Sequence, residues 1–222
     1  GVQSIQQNLI DKQIVILIES FCLKLTENEL KSYISKLYDW KDLTITSDDL
    51  NYKSISRSVM FYHLISHLSN KLRHLFISVQ SFIWSNQIEL LNDFIKIVNT
   101  NSNKKKRKRD DSNLQEYIVE SFIRSKYIVD SLNSLFLYDN TSFLDEVKFE
   151  EIMPVVVSLI GTITIYISNE DYQQFCDDYI IPCIISLARA INTDIQWKPL
   201  NYKILLYMRD SKKSIKLIAL KT

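Results

Sequence analysis

With 222 residues, 46% of them hydrophobic, the chain can bury a substantial core as one large domain or two small ones. Only two glycines and three prolines are present, which excludes turn-rich sheet folds and the glycine-dependent phosphate loops of dinucleotide and P-loop proteins. The net charge of +1 conceals an asymmetry: six basic residues stand together at 104–109, and removing them leaves the remainder at −5.

From Ile5 to Leu25, apolar positions at Leu9, Ile10, Ile14, Leu17, Ile18, Phe21 and Leu25 follow helical spacing, with Val15 and Ile16 filling a second side. Thr26-Glu27-Asn28-Glu29 has the form of a capping box and opens a second helix carrying Leu30, Tyr33, Ile34, Leu37 and Trp40. Leu43 to Tyr52 is polar and reads as a loop. The periodicity then predicts one long helix over Lys53–Trp84 and a further piece over Gln87–Val98. Asn99 to Asn113 contains no apolar residue and reads as an exposed, disordered basic loop.

Helical spacing resumes from Leu114 to Tyr138, and again from Asp145 through an apolar run ending at Ile167. That run, Pro154 to Ile167, has 14 residues, too few for a membrane span of roughly 20. Ser168-Asn169-Glu170-Asp171 forms an N-terminal cap for the next helix, which Pro182 kinks or divides. Trp197, Leu200, Ile204, Leu205 and Met208 predict an apolar stripe on a helix with Pro199 in its first turn. Arg209-Asp210-Ser211 makes a turn, and Ile215, Ile218 and Ala219 resume the pattern on a last helix.

The chain therefore reads as all-α: an irregular HEAT-like α-solenoid of about eight to ten helices without strand pairs. Its parts are a first helical region (1–99), the basic loop (100–113), and a second helical region (114–222) ending in a hairpin at 197–222. Such a hairpin cannot bury its own apolar face. Ile215, Ile218 and Ala219 are thus expected to be exposed, frayed or covered by a neighbour. Asp210 and Lys216, six residues apart, have the spacing of the aspartate and basic residue that bridge units in HEAT repeats, and Trp197 opens the same hairpin.

Three cysteines without a C-x-x-C pair indicate reduced thiols in a cytosolic or nuclear compartment. Lys104, Lys105, Lys106, Arg107, Lys108 and Arg109 suit an importin groove or a phosphate backbone, or form a solvated loop. His63 and His67 have metal-compatible spacing, yet no third ligand is near in sequence, so these and His74 read as structural or surface residues. Adjacent carboxylates such as Asp177-Asp178 point apart on a helix and make poor acid–base pairs. No cofactor, catalytic residue, metal site, membrane contact or small-molecule substrate is indicated, and the chain is not read as an enzyme.

The block Trp197-Lys198-Pro199-Leu200-Asn201-Tyr202, then Ile204-Leu205-Leu206 and Arg209-Asp210-Ser211, resembles the carboxy-terminal region of the HEAT repeat-containing protein 1 family. Fungal members are called U-three-snoRNA-associated protein ten. Tyr38-Asp39-Trp40, Leu135-Phe136-Leu137-Tyr138-Asp139 and Ile181-Pro182-Cys183-Ile184 are similar to the family's pattern in the same order. The resemblance implies a nucleolar scaffold of the small-subunit processome, supporting pre-rRNA processing, with processome proteins and pre-rRNA or snoRNA as partners. It also implies that the chain is a fragment of a larger protein. Importin would engage the basic loop. A HEAT-type nuclear transport adaptor is the alternative, and a metal hydrolase built on the histidines a more distant one.

Overall fold

The computed structural model describes residues 2–42, 50–102, 112–162, 166–191 and 193–222, and among them every regular element is helical. The α-helices are α1 (Val2–Cys22), α2 (Glu27–Asp42), α3 (Leu50–Leu72), α4 (Ile77–Ser102), α5 (Ser112–Tyr138), α6 (Glu146–Ser158), α7 (Asn169–Phe175), α8 (Ile181–Ala190), α9 (Asp194–Tyr207) and α10 (Lys213–Lys221). Residues 43–49, in the expected first loop, and the basic run lie outside the described residues, while α4 and α5 reach into both edges of 100–113.

Side-chain pairings give the directions of the helices. Ser56 meets Glu120, Ser66 meets Asp130 and Asn70 meets Ser134, always 64 residues apart, so α3 and α5 run parallel. Phe122 meets Phe175 and Asn133 meets Ser186, both 53 apart, which sets the α7–α8 segment parallel to α5. On α4 the order reverses: Gln87 reaches Ser131 and Phe94 reaches Phe122, so α4 is antiparallel to α5. The helices α1, α3, α5 and α7–α8 thus form one row. The helices α2, α4, α6 and α9 form the second, with α6 on α4 and α9 on α6. Parallel stacking of every second helix is the stacking of a solenoid. The apolar residues it buries form one cluster from Val15 to Ile218.

Local chemistry explains the helix ends. Glu29 Oε2 accepts from the Thr26 N–H at 2.9 Å, the reach-back expected of the capping box. Asp145 caps α6 by accepting from the Lys148 N–H, and Ser168 caps α7 through the Asp171 N–H. Asp139, in the Leu135–Asp139 motif, gathers the N–H groups of Thr141, Phe143 and Leu144 and so shapes the turn after α5. Burial pushes its carboxyl up, but those N–H groups outweigh this and hold it below the usual carboxylate range.

Four expectations are corrected. The long helix over Lys53–Trp84 breaks at a 3-10 turn, Arg73–Phe76, and α4 then runs unbroken through the boundary expected at 84–87. Arg73 takes a positive φ of 53° there, with its guanidinium 5.2 Å from the Tyr138 ring; tertiary contact replaces the missing glycine or proline signal. The helix expected to reach Ile167 ends in a 3-10 turn at Leu159–Gly161, and residues 163–165 lie outside the described residues. A Cβ at Gly161 would stand 3.0 Å from the Tyr207 ring, so the glycine admits α9 closely. Pro199 lies in the second turn of α9, because the helix starts at Asp194. Finally, Ile215, Ile218 and Ala219 are all buried, not exposed. α10 folds back on α9 and on the Leu159–Gly161 turn, and Lys221 pairs with Asp177 at 2.7 Å.

Pro182 falls at the start of α8, after a π-turn at Cys176–Ile180. The wider turn lets the chain pass a proline without an amide donor while the axis continues.

Candidate interaction surfaces

A ladder of polar side chains joins α3 to α5. Ser66 Oγ and Asn70 Nδ2 donate to Asp130 Oδ2, Ser134 Oγ donates to Asn70 Oδ1 at 2.6 Å, and Ser186 Oγ continues the line by donating to Asn133 Oδ1 at 2.7 Å. Beneath it Gln80 donates to Gln87, and Gln87 to Ser131, both at 2.9 Å. These bonds satisfy buried polar groups and fix which turn of one helix meets which turn of the next. No linear motif announces them, since apart from Gln80 and Gln87 the partners lie 44 to 64 residues apart across α3, α4, α5 and α8.

The histidines are absorbed into the same row of helices. His63 stacks on Tyr127 with ring centres 4.2 Å apart and meets His67 edge-on. His67 Nδ1 lies 2.8 Å from Glu19 Oε2. Burial, aided by the His67 and Lys12 charges, lowers His63 to about 4, so the ring is neutral near pH 7. His74 sits apart in the Arg73–Phe76 turn. Among the described residues no three His, Cys, Asp or Glu side chains are placed to share a metal ion. The cleft lined by Lys12, Ser56, His63, Glu120 and Tyr127 measures about 160 Å³, below the ~300 Å³ at which ligand sites begin.

The thiols are chemically quiet. Cys22, Cys176 and Cys183 are free and buried, and desolvation pushes Cys22 up to about 11 and Cys176 to about 12. Cys183 is displaced the same way.

Of the residues singled out by sequence, Lys104 to Arg109 lie outside the described residues. Trp197 stands half-exposed on α9. Asp210 accepts the Lys212 N–H at 2.7 Å, closing the turn between α9 and α10, while Lys216 is exposed on α10. Asp210 and Lys216 form no ion pair with one another. The apolar stripe expected on α9 divides: Leu200 is buried and Ile204 partly so, whereas Leu205 is 53% exposed.

Among the described residues, two apolar surfaces stand open on α1 and α9, the first helix of one row and the last of the other. On α1, Leu17 and Phe21 face solvent beside a groove of about 400 Å³ lined by Phe21, Leu25, Asn28, Tyr33 and Lys36. On α9, Ile195, Tyr202, Leu205 and Leu206 are all exposed. Apolar patches of this kind mark sites of association. Among the described residues no helix is long and apolar enough to cross a membrane.

Comparison with known proteins matches the chain to one domain family and to parts of longer proteins named for HEAT repeats. Residues 3–144 match the BP28CT (NUC211) domain. The chain is 28% identical over 204 residues to HEAT repeat-containing protein 1 of Danio rerio, covering 89% of this chain and 9% of that protein. It is also 28% identical over 210 residues to the protein of the same name from Homo sapiens, covering 94% of this chain and 9% of that protein. A Dictyostelium discoideum homolog is 37% identical over 87 residues, 37% of this chain and 4% of that protein. The chain thus spans about a tenth of the curated relatives' length.

Proposed function

The chain belongs to the BP28CT (NUC211) domain family, and on that premise we propose that it is a non-catalytic scaffold domain of a nucleolar small-subunit processome protein. The observation that carries this reading is the stacked, laddered pair of helix rows with open apolar surfaces on α1 and α9. Such an architecture presents area for association, and its titratable interior is neutralised or hydrogen-bonded instead of being poised for proton transfer. In this reading the domain supports pre-rRNA processing and small-subunit biogenesis by binding processome proteins and pre-rRNA or snoRNA. Lys104 to Arg109 engage importin and deliver the protein to the nucleus and nucleolus.

Depletion of the full-length protein tests the proposal. Small-subunit rRNA precursors should accumulate on northern blots and fall again when the intact protein is restored. Normal precursor levels under depletion overturn it. The same basic run would also serve a HEAT-type nuclear transport adaptor, and co-purification separates the two: processome proteins with a small nucleolar RNA favour the scaffold, Ran or cargo the adaptor.

A further inference from the structure

We propose that the open face of α9, with the basic turn and α10 that follow it, docks an acidic amphipathic helix of a partner protein. The inference rests on the reading of the chain as a binding platform and names the class of partner that one of its surfaces takes. A helix buries its apolar side chains where neighbours supply a surface. Those of α9 are spread around the helix among Gln196, Lys198, Asn201 and Lys203, and only its Leu200 face is covered. The opposite side carries Ile195, Lys198, Tyr202 and Leu205 at offsets of 0, 3, 7 and 10, with Leu206 alongside, and Ile195 and Tyr202 are 70% and 64% exposed. At 1.5 Å per residue this stripe is roughly 16 Å long, about three turns of an apposed helix.

Charge specifies the occupant. From Asp194 to Thr222 the chain holds Lys198, Lys203, Arg209, Lys212, Lys213 and Lys216 in addition to Lys221, against only Asp194 and Asp210. Lys221 is paired with Asp177, and one Asp210 oxygen is taken by the Lys212 N–H. The other six cations are in no ion pair among the described residues. An apolar stripe that carries Lys198 and leads into a turn and helix with further uncompensated lysines complements a helix with leucines on one side and carboxylates on its flanks. RNA fits less well, because a phosphate backbone satisfies the lysines but leaves Ile195, Leu205 and Leu206 in water, and Tyr202 and Trp197 are the only aromatic stacking surfaces exposed on α9.

The test uses the whole chain and four probes: a fluorescent synthetic helix of leucines and glutamates, the same peptide with lysine for glutamate, a uridine oligonucleotide, and phosphatidylserine vesicles. The acidic peptide should bind saturably and weaken about tenfold as salt rises from roughly 0.05 M to roughly 0.5 M. Tyr202→Ser with Leu205→Ser should lower its affinity about tenfold at an unchanged unfolding midpoint. Lys213→Glu with Lys216→Glu should flatten the salt dependence. Equal binding of the lysine peptide overturns the proposal. So does binding of the oligonucleotide or vesicles without the acidic peptide, or a dimer of the chain that Leu205→Ser converts to monomer. Failure here leaves the rRNA-processing result untouched, and normal processing on depletion leaves the peptide result untouched, so the two readings fall separately.

Discussion

The α3–α5 seam and the α9–α10 hairpin are built from similar material and end in opposite states. Along the seam Ile65, Leu68, Val129 and Leu132 are fully buried, and the polar residues among them are spent on the Ser66–Asn70–Asp130–Ser134 ladder. α9 has leucines and aromatics in comparable density, yet it closes one face and leaves the other open. Composition alone does not distinguish them. The difference is the supply of neighbours: α5 has α3 on one side and α8 on the other, whereas α9 has α6 and the short α10.

That comparison can be broken or sharpened by substitution. The largest effect is expected at Leu132→Ala, which empties space in a fully buried site and should cost about 2–5 kcal/mol in urea unfolding. A cost no greater than that of a surface change would move the core elsewhere. Asp130→Ala comes next: it removes the acceptor of Ser66 Oγ and one of the two acceptors of Asn70 Nδ2, and should cost about 1–3 kcal/mol. Restoration by Asp130→Asn to more than half of that would show that the ladder works through hydrogen bonding and not through charge.

A smaller, pH-dependent effect attaches to His63. Its folded-state value of about 4 lies below the ordinary 6.5, so on acidification the unfolded chain gains a proton that the folded chain refuses. Stability should therefore be level above about pH 6.5 and fall between there and about pH 4. His63→Phe keeps a ring against Tyr127 and should flatten that slope in thermal melts relative to the unaltered chain. The smallest effect is expected from Leu205→Ser, within about 0.5 kcal/mol, because the side chain it removes already faces water.

Much of the fold is legible in the sequence where a local rule operates alone. Thr26-x-x-Glu29 and Ser168-x-x-Asp171 begin helices as their chemistry dictates, and apolar spacing finds α2, α5 and α8. Legibility fails where distant residues decide. Arg73 takes its left-handed backbone beside Tyr138, 65 positions on, and Gly161 matters because Tyr207 leans on it. The C-terminal hairpin shows the same limit. Its apolar pattern is plain, but that the Leu159–Gly161 turn covers Ile215, Ile218 and Ala219 follows from packing between segments more than 50 residues apart. The candidate docking face is legible only in retrospect: the lysines are visible in sequence, but which α9 residues face water depends on where α6 lies.

The fixed offsets between helices of the same row have a kinetic consequence. Ladder contacts join residues 53 to 64 apart, α1 meets α3 through a pair 48 apart, and each helix touches its predecessor and its successor in the row. No strand from one end of the chain has to find its place at the other, so the loop that must close before each new contact is of nearly constant length. Folding can then start at the α3–α5 pair and spread by adding one helix at a time, and thermal opening should proceed inward from α1 and α10.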